Sequence, residues 1–273
     1  MSAPPGGPTA YTSYPTYSGS NTYMSAPQYG SGSLPVGIPL VPGQSTPVYA
    51  SYAVAPFVIP AEREREPMLL LDVTASMNWS TSMTDKTPRK ETVREALSLL
   101  VQALEGHDSQ SNAEHAAGIP VSDIGGLRTV TFSNRDAADN GDINSQNLAS
   151  KWSEIKFCGG TYIMPGWQRV LQVFQSEFGE RPLEQQPLVM LLIISDGAAY
   201  DMKEFVQLLK QELPSNFLLT FALIGYDNDY MKAVAEYNTL VQFNPAQVRV
   251  IPFGAETDPQ NISNALLGLL QSK

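Results

Sequence analysis

Two hydrophobic patterns alternate along most of this chain. Apolar runs occur at 68–71 (Met-Leu-Leu-Leu), at 188–194 and, interrupted only by Thr220, at 217–224. Such runs mark strands buried on both faces, as in a parallel sheet. Between them, apolar residues recur at helical spacing, which marks amphipathic helices. Thr87 is a suitable N-cap and Pro88 suits a first helical position, so a helix is expected to begin there. It carries Val93, Leu97, Leu100, Val101 and Leu104 and is expected to stop at Gly106. Further helices are predicted at about 164–178, 202–212, 230–238 and 258–271, and further strands at 127–132 and 248–253. The polar stretch 134–150 reads as loop with a short helix. The alternation Trp152-Ser153-Glu154-Ile155-Lys156-Phe157 reads as an edge strand. The predicted fold class is α/β: a doubly wound, mostly parallel sheet flanked by helices.

Composition divides the chain. Residues 1–61 contain no Asp, Glu, Lys, Arg or His, although the whole chain carries a formal net charge of -10. Residues 1–66 are therefore expected to be a disordered Pro/Tyr/Ser/Gly-rich tail and linker, and 67–273 a single domain. Tyr11, Tyr14, Tyr17, Tyr23, Tyr29, Tyr49 and Tyr52 are spaced as weak, multivalent contacts would be, or the tail is a spacer. The more apolar stretch 48–60 suits either addition to a sheet edge or simple disorder. The acidic balance argues against binding to nucleic acid, whose phosphates require Lys and Arg. Cys158 is the only cysteine, so no internal disulfide forms and a reducing, cytoplasmic setting is expected. No run reaches the roughly 18 apolar residues of a membrane span, and the first residues lack the features of a signal peptide.

The chemistry gathers where the predicted strands end. Asp72-Val73-Thr74-Ala75-Ser76 follows the first apolar run directly. Alternate residues of extended chain point the same way, so Asp72, Thr74 and Ser76 present three oxygens to one spot. The strand 188–195 ends at Asp196-Gly197 and brings a second carboxylate to the same sheet edge. Gly159-Gly160-Thr161 lies between the two, where glycines permit close backbone approach and Thr161 adds a hydroxyl. Oxygen ligands of this kind suit hard divalent cations such as Mg2+, with Mn2+ or Ca2+ as alternatives. The carboxyl edge of an open parallel sheet is also where ligands bind.

In these residues the chain resembles the von Willebrand factor A (vWA) domain. The metal-ion-dependent adhesion site (MIDAS) of that family has the pattern Asp-x-Ser-x-Ser, then Thr, then Asp-Gly. The chain departs from it at Thr74, which keeps the hydroxyl and adds a methyl. The resemblance implies that Thr74 and Ser76 bind the metal directly, that Asp72 and Asp196 act mostly through water, and that Thr161 joins as ligand binds. It also implies a six-stranded sheet with one antiparallel edge strand. The function it implies is an intracellular scaffold or adaptor that holds a partner's Asp or Glu carboxylate through the ion. Alternatives are an accessory subunit of an ATP-driven complex, with the ring ATPase or chelatase on a separate chain, and a structural metal with binding through the tail.

Other residues have plainer readings. Asp227 and Asp201 are expected to cap the helices that follow them, and Asp85 to be an exposed loop acid. Met77, Trp79 and Met83 suit either an adaptable contact surface or packing onto the domain. His107 and His115 read as solvated, with no Cys/His spacing for zinc and no nucleophile beside them. Gly159-Gly160-Thr161 lacks the ending of a phosphate loop. No catalytic activity is expected, metal-assisted hydrolysis included, because no positioned base or second ion is visible.

Overall fold

The computed structural model describes residues 57–59, 63–114 and 126–271. Most of the segment expected to be a disordered tail, and His115, lie outside them. Six strands form one sheet in the order β3-β2-β1-β4-β5-β6. They are β1 (Arg65–Asp72), β2 (Leu127–Ser133), β3 (Asp136–Ile143), β4 (Leu188–Ser195), β5 (Phe217–Ile224) and β6 (Val248–Gly254). All neighbours run parallel except β2 and β3, which are antiparallel. The helices are α1 (Arg89–Glu114), α2 (Leu148–Glu154), α3 (Met164–Phe178), α4 (Met202–Glu212), α5 (Asn228–Phe243) and α6 (Pro259–Leu270).

The continuous apolar runs are explained by helices on both faces. Along β1 and β4, Leu69, Leu71, Leu192 and Ile194 pack with α1 and α6. Their neighbours Met68, Leu70, Leu191 and Ile193 pack with α3, α4 and α5. Every residue of β4 and β5 is buried, so no polar alternation survives in the sequence. Burial of one such side chain contributes about 1.5–3 kcal/mol before entropy is counted. Among the described residues, no helix is long and apolar enough to cross a membrane.

Four elements differ from expectation. The edge strand is the polar segment Asp136–Ile143, and Trp152 lies in α2 instead. An edge strand half in solvent needs no apolar face, because pairing with β2 holds it. Leu148 and Trp152 are four residues apart, and together they turn one helix face into the core. The second difference is α1, which begins at Arg89 and passes through Gly106 to Glu114. A Cβ at Gly106 would meet nothing within 4 Å, so that glycine is tolerated and not a stop. The third is α5, which outruns its expected span and ends at Phe243. The fourth is the start of the folded part. β1 opens at Arg65, and Phe57 and Ile59 are buried against the α1/α6 face without joining a strand. The Arg249 guanidinium lies 4.4 Å from the Phe57 ring centre.

Between β1 and β4 the order of the sheet reverses, since β2 lies on one side of β1 and β4 on the other. That crevice, at the carboxyl ends of β1 and β4, is where Asp72 and Asp196 emerge.

Candidate metal centre

β1 ends at Asp72, and the backbone beyond it stays hydrogen-bonded to β2 and to the loop before Gly160. Val73 N–H donates to Phe132 O, Cys158 N–H to Val73 O, and Ala75 N–H to Gly159 O. The Thr74 loop is thereby tied to the Gly159 loop. Gly159 has φ +83°, and a Cβ there would sit 2.2 Å from the Asn134 side chain, so only glycine fits. This bears out the expected close approach, although the residues before Gly159 are irregular chain after α2 and not a strand.

The five sequence-predicted residues meet. Thr161 Oγ1 donates to Thr74 Oγ1 at 3.3 Å, and Thr74 Oγ1 lies 3.1 Å from Ser76 Oγ. Ser76 Oγ donates to Asp196 Oδ1 at 2.9 Å. Asp72 underlies this row. Its Oδ1 accepts from Thr74 N–H at 2.9 Å and its Oδ2 from the Ser195 hydroxyl at 2.7 Å. Asp72, Thr74, Ser195 and Asp196 are buried, whereas Ser76 and Thr161 are half-buried, so the row opens toward solvent on one side.

The two carboxylates are neutralised differently. Asp72 is fully buried and meets only neutral donors, with no ion pair among the described residues. Burial raises its pKa, the charge of Asp196 raises it further, and the Ser195 and Thr74 bonds oppose this. Asp196 receives the Arg89 guanidinium, Nη1 to Oδ2 at 2.8 Å. Burial still holds its pKa above the usual carboxylate range, against the pull of Arg89 and Ser76.

Sequence reasoning missed Arg89. Its other terminal nitrogen reaches Asp227 Oδ2 at 2.7 Å, and the side chain is 2% exposed. It lies 5.8 Å from the ring centres of both Trp79 and Tyr226. One signal was available. A cation in the first turn of a helix opposes the helix dipole, and its presence there asks for nearby carboxylates. The Ser195 hydroxyl was also missed, though it immediately precedes Asp196.

The remaining acids have structural partners. Asp227 Oδ1 accepts from Tyr230 N–H at 2.9 Å and caps α5 as expected. Burial works against its charge, but the Tyr230 N–H and Arg89 outweigh it and lower its pKa. Asp201 does not cap α4 by its side chain. Instead it accepts from Ile163 N–H at 2.9 Å and Met164 N–H at 3.0 Å, the free N–H groups at the start of α3. With Tyr200 N–H donating to Thr161 O, this clamps the Thr161 loop to the Asp196 loop. Asp85 accepts from Thr87 N–H within its own loop. Of the three apolar residues in that loop, Met77 is buried while Trp79 and Met83 are exposed. Among the described residues, no three His, Cys, Asp or Glu side chains gather as a metal cluster. The candidate centre depends on hydroxyls instead.

No family model matches the sequence, and no curated protein matches it. Solved structures do show likeness. The VWA domain of SpRpn10 is 12% identical with a TM-score of 0.46, over 76% of this chain and 94% of that one. The manganese-loaded TRAP protein of Plasmodium vivax is 15% identical with a TM-score of 0.46, over 78% and 74%. Proximal thread matrix protein 1 of the mussel byssus, solved with a zinc-occupied MIDAS motif, is 12% identical with a TM-score of 0.44, over 77% and 47%.

Proposed function

We propose that Asp72, Thr74, Ser76, Thr161 and Asp196 hold a divalent cation through which the domain binds a carboxylate of a protein partner. The observation that carries this reading is the row Thr161–Thr74–Ser76–Asp196, drawn from three separate loops into continuous contact. Hydroxyls that bond one another and a single carboxylate are suited to ligation by a hard cation. The donor set fits in charge as well. Asp72 is a buried carboxylate without a cationic partner, and such a group is costly to keep ionised unless a positive charge arrives.

Thr74 and Ser76 would hold the ion through their hydroxyls, with Thr161 at the open side and Asp72 and Asp196 compensating its charge. When bound, the ion supplies positive charge and an open coordination position for an incoming Asp or Glu. Mg2+ is our choice among divalent cations, with Mn2+ as the working substitute. The site is proposed to bind and not to catalyse, in a scaffold or adaptor within a reducing intracellular compartment, where exposed Cys158 stays a thiol.

The test is thermal unfolding of the full chain in EDTA and then in millimolar Mg2+ or Mn2+, beside Asp72→Asn. A rise in melting temperature with metal that Asp72→Asn lacks is expected. An equal rise in both proteins, or none in either, sinks the reading.

A further inference from the structure

We propose that Arg89 sets the affinity of this centre: it neutralises Asp196, so that the chain alone holds a divalent cation weakly and a carboxylate completes the charge balance. The inference rests on the metal-site reading above and adds a residue and a rule to it. The observation is independent of the hydroxyl row. Arg89 is 2% exposed, and its two terminal nitrogens bridge Asp196 at 2.8 Å and Asp227 at 2.7 Å. Its Nε is buried with no hydrogen-bond partner among the described residues. The guanidinium is thus aimed at the carboxylates at the expense of its own third donor.

Charge counting gives the consequence. Asp72 and Asp196 together would balance a divalent ion. With Arg89 on Asp196, the third positive charge is left to Asp227, which is 30% exposed and screened by water, so the buried pocket is short of negative charge when the ion enters. Arg89 also repels the ion directly, and in a buried pocket this repulsion is far stronger than in water. An incoming carboxylate brings the missing negative charge. The chain without Arg89 has no such deficit, so it gains less from a carboxylate.

Asp227 provides the opposing variant. It is 30% exposed and caps α5, a role Asn also fills. Asp227→Asn removes a negative charge near the pocket and leaves the Arg89–Asp196 pair in place. It therefore weakens cation binding, whereas Arg89→Gln strengthens it. Loss of packing or of fold order would move both variants the same way.

The experiment is calorimetric titration of the metal-stripped full chain with Mn2+ alone, and again in the presence of acetate as the carboxylate probe. Arg89→Gln is expected to bind Mn2+ at least about tenfold more tightly than wild type. Asp227→Asn is expected to bind less tightly, and acetate to raise the Mn2+ affinity of wild type more than that of Arg89→Gln. Wild type that binds Mn2+ while Arg89→Gln binds it no better overturns the role of Arg89 and leaves the metal site standing. Absence of binding in both overturns the two together. Should Arg89→Gln fail to fold, Asp227→Asn decides: affinity equal to or above wild type overturns the proposal.

Discussion

The two ends of the sheet are built from the same materials and behave differently. At the carboxyl end, Asp196 and Asp227 gather on Arg89, with Asp72 close by. At the amino end, Asp139, Asp142 and Glu177 gather on Arg128, with Glu66 beside them. In both clusters the arginine Nε is buried without a partner among the described residues. The difference is water. Arg89 and Asp196 are each 2% exposed, whereas Arg128 is 24% exposed and Asp142 51%. A dry cluster forces each charge to be matched by protein donors or a bound ion. A wet one lets solvent screen what the protein leaves unmatched. Acid composition alone therefore says little about where a cation is needed.

The largest expected effect is at the dry end. Arg89→Ala leaves Asp196 buried and unpaired and should cost about 3–5 kcal/mol in chemical denaturation without metal. Adding Asp196→Asn to it should recover most of that loss, and a double mutant no more stable than Arg89→Ala would contradict the pairing. Next comes the ion. Mg2+ at about 100 times its dissociation constant should add about 2.7 kcal/mol to wild type, read from the shift in unfolding midpoint. Asp72→Asn should show none of it.

The wet end supplies the pH prediction. Burial raises the Glu66 carboxyl from 4.5 to about 7, helped by Glu177, Asp142 and Glu64 and opposed by Arg128. The folded state thus keeps a proton that the unfolded state releases. The contribution of this group is fully present below about pH 4.5 and is lost as pH rises to about 7. Glu66→Gln should match wild type near pH 4 and melt at a higher temperature at pH 8. A difference that is constant with pH would show that Glu66 does not titrate in this window. The smallest effect is expected for Arg128→Met, at most about 1 kcal/mol and diminishing with salt. A loss as large as that of Arg89→Ala would erase the contrast between the ends.

What was legible in the sequence follows from the same physics. β4 and β5 were readable to the residue because both faces are buried and the pattern admits no other element. Asp72, Thr74 and Asp196 were readable because they sit at or just past the ends of β1 and β4, whereas Ser76 lies in a 3-10 turn, Ala75–Asn78, and Thr161 follows irregular chain, so the extended spacing and the strand end expected for these two are absent. β3 was not, since Asp-Ala-Ala-Asp-Asn-Gly-Asp-Ile is held by pairing with β2 rather than by its own burial. Arg89 was not, because its partners lie 107 and 138 positions away. Asp201 was assigned to the nearer helix, whereas the free N–H groups it satisfies belong to α3. Local rules name a cap and leave its client open.

Arg89 touches the surface through Trp79, and that contact has an optical consequence. Of the three tryptophans, Trp152 and Trp167 are buried at 6% and 2% exposure, while Trp79 is 57% exposed with the guanidinium 5.8 Å from its ring. Indole emission responds to nearby charge and to solvent. The long-wavelength part of the intrinsic fluorescence therefore belongs to the one tryptophan that adjoins Arg89. The molecule carries its own indicator for events in the crevice, with the two buried indoles as an internal reference.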